Sequence, residues 1–275
     1  MSIKETLAFD DVLLVPGYSE IVTRADVDLS LDIGTGIPMA LPVFAAPMDT
    51  IMSNEMARVV YQSGGRGVMH RYCTIEEQVE LLKGADSDFE SFAAVGITGD
   101  FMERAAALSE AGVTGLCVDV AHGHHQTVLR AVTQLKLVFP DLHIMAGNIA
   151  TLDGFNALSA AGADSVRVGV GGGSICSTRI QTGHGVPTLQ SVMDCAKSQQ
   201  DCLIVADGGI KNSGDMVKAL AAGADAVMVG RMLAGTTEAP GEVISNPGSA
   251  PVKVYRGMAS PEAQMAWRGR YSSNE

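Results

Sequence analysis

The sequence predicts an α/β chain folded as one (β/α)8 barrel (a TIM barrel), and three observations carry that expectation. One phrase recurs along the chain: an amphipathic helix that ends at Gly and is followed at once by an apolar strand. Eight short apolar runs alternate with helical patterns. Glycine is abundant, 31 of 275 residues, while aromatics make up only 5%. Short turns joining helices to buried strands have that composition.

The phrase reads LSEAGVTGLCVDVA from Leu108, LSAAGADSVRVGVG from Leu158 and LAAGADAVMVG from Leu220, with a looser copy, YQSGGRGVMH, from Tyr61. The glycine suits the left-handed position that ends a helix. Strands are expected at 43–47, 66–70, 92–97, 115–121, 143–147, 165–170, 203–207 and 226–230. They are near-continuous apolar runs rather than alternating ones, as in parallel strands covered on both faces. Helical patterns lie near 53–63, 75–83, 100–111, 125–138, 151–161, 187–198 and 212–222. Eight strands alternating with helices over this length make a closed barrel. The competing open, doubly wound sheet would want a GxGxxG turn after its first strand, and none is there. Residues 1–275 read as a single catalytic domain, with a Pro-Gly-tipped hairpin and an arm at about 239–275. No convincing eighth helix follows strand eight, so either the sequence is incomplete at its carboxyl end or the barrel closes unusually.

Composition narrows the partners. The chain is 47% hydrophobic and 18% charged, with a mean hydropathy of +0.19, enough apolar material for a sizeable core. Its longest apolar runs, FAAPM and AVMVG, are strand-sized, which argues against a membrane span. A net charge of −12 repels phosphate backbones and argues against nucleic acid. An anionic ligand must therefore be held by a local device such as converging backbone N–H groups. Five scattered cysteines without CxxC spacing argue against a disulfide framework or structural zinc. With no apolar signal segment in MSIKETLAFDD, they point to a soluble cytoplasmic protein.

In such barrels the chemistry sits where strands end and loops begin. After strand six runs GVGGGSICSTRIQTGHGVPT, whose glycines let backbone N–H groups converge on an anion, with the Ser174 hydroxyl beside them. Cys176 lies in that loop, where a thiol pKa could fall and a thiolate could act as nucleophile. Cys73, Cys117, Cys195 and Cys202, on helices or strands, read as inert. After strand seven, Asp207 suits two ribose hydroxyls, or alternatively a helix cap or surface ion pair, and Gly208 and Gly209 allow close backbone approach. After strand eight, Gly230 and Arg231 offer a second phosphate contact. Three histidines after strand four (His122, His124, His125) invite a metal reading but lack an acidic or Cys partner at helical spacing. Asp119 is the better polar contact there.

These segments together resemble the IMP dehydrogenase/GMP reductase family. LAFDDVLLVPGYSE, APMDT, GVGGGSICSTR, ADGGIKNSGDMVKALAAGADAVMVG and VYRGMAS match in order over essentially the whole sequence. The resemblance implies a cysteine thioimidate formed at C2 of a purine nucleotide, with hydride exchanged with a nicotinamide dinucleotide. It implies catalytic roles for Cys176, Thr178 and Glu275. Ser174, Asp207, Gly208, Gly209, Gly230, Arg231 and Tyr255 would take the ribose phosphate, and Met48, Gly257, Met258 and Ala259 the base. Asp119, Val120, Ala121, Asn148, Arg167 and Gly169 would face the dinucleotide. Carbonyls of Gly171, Gly173 and Cys176 would hold a monovalent cation, K+. A homotetramer is also implied. The regulatory nucleotide-binding pair common in the dehydrogenases is missing, since residues 84–91 bridge directly to strand three. APMDT and HRYCTIEEQ look like a dehydrogenase. Gln181-Thr182-Gly183 and the Tyr271-to-Glu275 spacing look like a reductase, although Arg270-Tyr271 could be the dehydrogenase pair. On the arm, the expectation is NADPH-dependent GMP reductase, with NAD-dependent IMP dehydrogenase as the alternative. A flavin- or phosphate-dependent barrel of another family would keep the glycines without needing Cys176, and an inactive purine-nucleotide-binding barrel would keep Ser174 and Asp207 and lose the nucleophile's geometry.

Overall fold

Eight parallel strands close on themselves in sequence order, as the repeat predicts. The computed structural model describes residues 5–34, 36, 38–83, 89–245, 248–258, 260, 263 and 265. The elements are β1 Val43–Ala45, α1 Asn54–Gln62, β2 Arg66–Met69, α2 Ile75–Leu82, β3 Ser91–Val95, α3 Phe101–Glu110, β4 Gly115–Asp119 and α4 Gln126–Val138. They continue with β5 His143–Ile149, α5 Leu152–Ala160, β6 Ser165–Val168, α6 Thr178–Thr182, α7 Thr188–Cys195, β7 Leu203–Asp207, α8 Ser213–Ala221 and β8 Ala226–Val229. The ring is closed by β1 against β8, with Phe44 opposite Met228.

Local chemistry sets the helix starts. Ser53 caps α1, Thr74 and Glu77 make a reciprocal capping box at α2, Thr151 caps α5 and Asn212 caps α8. Each supplies an acceptor to an otherwise unpaired N–H of the first turn, about 1 kcal/mol per cap. His125, one of the three clustered histidines, proves to be such a cap: its Nδ1 accepts from Thr127 N at 3.2 Å, opening α4. Among the described residues no group of three or more His, Cys, Asp or Glu could hold a metal ion. The repeat's glycines end their helices as expected, with φ of +88° at Gly112, +103° at Gly162 and +107° at Gly223.

Boundaries differ from expectation where backbone chemistry intervenes. The first strand stops at Ala45, just short of Pro47, which has no N–H to give a ladder. Strand β5 runs on to Ile149 through a register shift after Gly147, so Asn148 belongs to the barrel. A short helix, α6, interrupts the stretch read as loop after β6, and Gly183 ends it at φ +70°. The expected hairpin is present as an antiparallel pair, Ile244 with Val252, exchanging hydrogen bonds of 2.8 and 3.0 Å; Pro247 of its tip lies outside the described residues. Among the described residues β8 is the last complete element.

Two apolar cores result. Inside the barrel lie Phe44, Phe92, Met145, Val205 and Met228, all nearly or fully buried. Phe44 meets Phe92 edge-on at 5.4 Å. Gly115 makes room for Phe92, because a Cβ there would lie 2.3 Å from its ring. Outside the strands, a larger core packs them against the helices through residues such as Leu108, Leu135, Phe155 and Leu158. Below, Ile33 and Met39 plug the barrel floor beside the Leu31–Met39 bridge. Side chains filling both surfaces leave one end of the barrel, where the strands terminate, to carry chemistry.

Candidate active site

The loop after β6 lies directly on the turn after β7, and glycine permits it. A Cβ on Gly169 would stand 1.9 Å from the Asp207 carbonyl oxygen, and one on Gly172 would stand 2.3 Å from Thr188 Oγ1. From the facing side, a Cβ on Gly208 would come within 3.0 Å of Gly173 N. No side chain fits at this contact, so the two backbones form a shared cradle. An antiparallel bridge between Val170 and Val186 closes the base of the loop.

This loop presents Cys176 half-buried, with Sγ donating to Thr178 Oγ1 at 3.2 Å. Thr178 opens α6, so the unexpected helix fixes the hydroxyl beside the thiol. The other cysteines differ in kind. Burial pushes the Cys117 thiol up to about 11 and those of Cys195 and Cys202 up to about 12, so they stay neutral; Cys73 is buried.

On the floor of the same cleft, Arg167 joins three strand ends. Its Nη1 donates to Asp119 Oδ1 at 2.7 Å, while Nη2 and Nε reach Asp207 Oδ2 at 2.9 and 3.2 Å. Asn148 Nδ2 donates to the same Asp207 oxygen and to Gly169 O, both at 2.8 Å. Burial opposes the charge on Arg167, but the carboxylates of Asp207 and Asp119 and the hydrogen bond to Asp119 outweigh it and hold the guanidinium firmly protonated. One cation thus faces two carboxylates. Asp119 Oδ2 and Asp207 Oδ1 carry no hydrogen bond among the described residues, which leaves two acceptors for a ligand's hydroxyls.

The far wall comes from the segment after the hairpin. Arg256 is ion-paired with Asp49 of the loop after β1, and Asp49 N donates to Met258 Sδ at 3.3 Å. Tyr255 reaches Ser174 through its hydroxyl; burial pushes its phenol up and that hydrogen bond pulls it down. Tyr255 also stands over Gly230, where a Cβ would lie 3.3 Å from its hydroxyl. The cleft so enclosed has about 1170 Å³ of space, its open mouth included.

Nearly every residue singled out from the sequence meets here. Met48, Asp119, Asn148, Arg167, Gly169, Gly171, Gly173, Ser174, Cys176 and Thr178 line the cleft, as do Asp207, Gly208, Gly209, Gly230, Arg231, Tyr255, Gly257 and Met258. Val120 and Ala121 do not. The backbone of Val120 pairs with Gly147 and Asn148, and Ala121 is exposed on the turn beyond. Ala259 and Glu275, with Arg270 and Tyr271, lie outside the described residues. Sequence reasoning missed Pro47, Ile175, Ile210, Lys211 and Met228 on the wall. The apolar four carry no signal separable from core packing, whereas Lys211, two residues past Gly209, could have been found as a cation beside an anion cradle.

Comparison with known proteins adds three findings. Residues 6–275 match the sequence profile of the IMP dehydrogenase / GMP reductase domain. An inosine-5'-monophosphate dehydrogenase of Nitrosopumilus maritimus is 34% identical over 397 aligned positions, spanning 98% of this chain and 83% of the relative. Enzymes of the same name from Aquifex aeolicus (34% over 389 positions, 94% and 79%) and Bacillus subtilis (33% over 404 positions, 99% and 82%) are similar in the same way. These alignments are longer than the 275 residues of the chain, so the relatives carry inserted residues that it lacks.

Proposed function

Because the chain belongs to the IMP dehydrogenase / GMP reductase domain family and is an oxidoreductase of it, we propose that it oxidises IMP at C2 to XMP with NAD and water. The observation that carries the reading is the Cys176 thiol, 3.2 Å from the Thr178 hydroxyl, in a cleft whose opposite floor offers the carboxylates of Asp119 and Asp207. The arm spacing favours the reductase, but its residues lie outside the described structure, and the similar enzymes quoted above are named as dehydrogenases. The charge of the floor also favours the oxidised, cationic nicotinamide ring, since two carboxylates share the single guanidinium of Arg167.

The chain's own groups perform the following steps. Gly208, Gly209, Gly230, Arg231, Ser174 and Tyr255 hold the nucleotide's phosphate, and Asp207 Oδ1 accepts from its ribose hydroxyls. Met48, Gly257 and Met258 flank the base. Cys176 Sγ gives its proton to Thr178 Oγ1, the Thr178 hydroxyl passes its own proton to solvent, the thiolate bonds to C2, and the C2–H bond breaks with its electron pair leaving as hydride. Asp119, Asn148, Arg167 and Gly169 would hold a nicotinamide dinucleotide, which would supply the acceptor for that hydride. The free Asp119 Oδ2 would accept from its ribose hydroxyls. Water then bonds to C2 through its oxygen, giving a proton to Thr178 Oγ1 as the Thr178 hydroxyl passes its own proton to solvent, and the C–S bond breaks to restore the thiolate. Carbonyls of Gly171, Gly173 and Cys176 would seat the monovalent cation, K+ by resemblance. Gly173 O is engaged by Cys176 N at 3.1 Å, so that carbonyl would offer its second lone pair.

No helix among the described residues is long and apolar enough to cross a membrane, which accords with a cytoplasmic enzyme. Leu13, Val15, Tyr18 and Val22 are each more than 85% exposed, and this apolar strip supports a homo-oligomer, a tetramer by resemblance. A single dimension of light scattering reads the mass. The reaction is tested by mixing protein with IMP and NAD, and separately with GMP and NADPH, while following nicotinamide absorbance. The first mixture should form NADH, and Cys176→Ala should abolish this while still binding IMP. NADPH consumption with GMP alone would reverse the direction.

A further inference from the structure

The phosphate end of the cleft holds a cation that the reading above leaves unused. Lys211 lines the wall beside Gly208, Gly209 and Arg231. Its backbone is fixed by donation from Lys211 N to Asp215 Oδ2 at 3.0 Å, on a residue only 2% exposed. Its side chain instead points away to an acid from the other end of the chain: Nζ sits 2.5 Å from Asp10 Oδ2. That acid is placed by design of the fold, since the turn Phe9–Asp11 packs against the phosphate loop. Phe9 is buried under Gly209, where a Cβ would be 3.7 Å from its ring, and Phe9 O accepts from Lys218 Nζ at 2.8 Å. Asp10 keeps the Lys211 ammonium above its ordinary range, first through that hydrogen bond, and Arg231 pushes the other way. Lys211 and Arg231 both line this end of the cleft.

We propose that Lys211 is a phosphate-binding residue of the nucleotide site, held at rest by Asp10 and released to the 5'-phosphate when a purine nucleoside monophosphate binds. The proposal rests on reading the cleft as a mononucleotide site. Two arguments support the exchange. A phosphomonoester near neutral pH carries close to two negative charges, and Arg231 alone does not balance them in a chain of net charge −12. The Lys211–Asp10 pair is also exposed, 46% and 71% at the side chains. Ion pairs so exposed hold weakly, while ammonium-to-phosphate hydrogen bonds are among the stronger ones. The N-terminal turn then acts as a brace for the phosphate loop and as a competitor for its cation, and nucleotide binding breaks one contact to make the other.

The experiment is calorimetric titration of IMP and of inosine into wild-type protein, Lys211→Met, Lys211→Arg and Asp10→Asn. Lys211→Met should lose about tenfold or more in affinity for IMP and nothing for inosine, and Lys211→Arg should restore most of the loss. Asp10→Asn should bind IMP a few-fold more tightly, again with inosine unchanged. Wild-type protein that fails to prefer IMP over inosine would overturn the mononucleotide reading itself. Wild-type protein that prefers IMP, with Lys211→Met preferring it equally, would overturn this proposal and leave that reading standing. Weaker IMP binding by Asp10→Asn would overturn the competition and make Asp10 a supporting residue. Both positions tested carry solvent-exposed side chains, and thermal melting of each of the three variants checks that the barrel is intact.

Discussion

Each end of the barrel buries an arginine on a strand, and the two are used differently. Arg66, 2% exposed at the foot of β2, is ion-paired with one carboxylate among the described residues, Glu90, donates to Gly65 O at 2.9 Å and lies over the Tyr61 ring at 4.9 Å. Arg167, 6% exposed near the head of β6, spans two carboxylates from β4 and β7. At the foot, charge is matched one to one and packed away. At the head, one positive charge meets two negative ones, and free carboxylate oxygens face a cleft. A buried ion pair is costly to assemble and contributes little net stability. The fold carries both; only the unbalanced one has acceptors left over for something that is not protein.

The histidines repeat the contrast. His143 at the foot has both ring nitrogens engaged, at 2.7 Å to Ile33 O and 2.7 Å to Ser165 Oγ. His70, just past β2 at the head, is also buried, yet its Nδ1 has no hydrogen-bond partner among the described residues. Burial pushes both below the usual imidazole range, against Asp49 and Glu77 for His70 and against the Ile33 hydrogen bond and Asp164 for His143.

The largest expected effect is at the head. Arg167→Met strands two carboxylates, and should cost about 3–5 kcal/mol of stability together with nearly all turnover. Melting and NADH formation measure the two losses, and a variant with wild-type turnover would show that the head charge serves packing alone. At the foot, Arg66→Met should cost less, about 1–3 kcal/mol, because it strands one carboxylate, Glu90, rather than two. The KM for IMP should not move, and adding Glu90→Gln should recover part of the stability; a raised KM would erase the distinction between the ends.

The next effect depends on pH. A base whose folded pKa lies below its unfolded value binds fewer protons when folded. His70 and His143 therefore contribute stability that is present above about pH 6.5 and is lost as pH falls below it toward their depressed folded values. Each lost proton site changes stability by up to about 1.4 kcal/mol per pH unit. Urea unfolding at pH 7.5 and pH 5.5 should show the decline, and His143→Gln should flatten it. An unchanged slope in that variant would place the dependence elsewhere. The smallest effect separates the cysteines. At pH 7.5, iodoacetamide should label Cys176 first, whereas Cys117, Cys195 and Cys202, pushed up to about 11, 12 and 12, should react only on unfolding. Cys202→Ser should leave turnover within about twofold, since a half-buried thiol-to-hydroxyl change costs little. Early labelling of Cys195 or Cys202 would mean that the outer core opens locally, and of Cys117 that the barrel interior does.

The order of elements was readable because a barrel repeats a single local problem. Each amphipathic helix must end, turn at glycine and deliver an apolar strand, and Gly112, Gly162 and Gly223 solve it in the same way. The cysteine loop was readable because glycines crowd where backbone must approach backbone. Less was legible where residues far apart in sequence act on one another. Nothing near Arg167 in the chain indicates that Asp119 and Asp207 share it. Nothing near Lys211 indicates that Asp10, some two hundred residues earlier, holds its ammonium. The His122–His125 cluster was ambiguous until His125 proved to be a helix cap.

The sequence by itself determined the eight-fold alternation, the loop that bears Cys176 and the set of polar residues at strand ends, because these follow from periodicity, turn chemistry and the short range of a loop. Tertiary structure alone decided how those groups pair: the guanidinium shared between two carboxylates, the α6 turn that sets Thr178 against Cys176, and the first residues closing onto the phosphate loop. Pairing is a matter of distance in space, and closing the barrel brings β4, β6 and β7 within hydrogen-bond reach however far apart they lie along the chain.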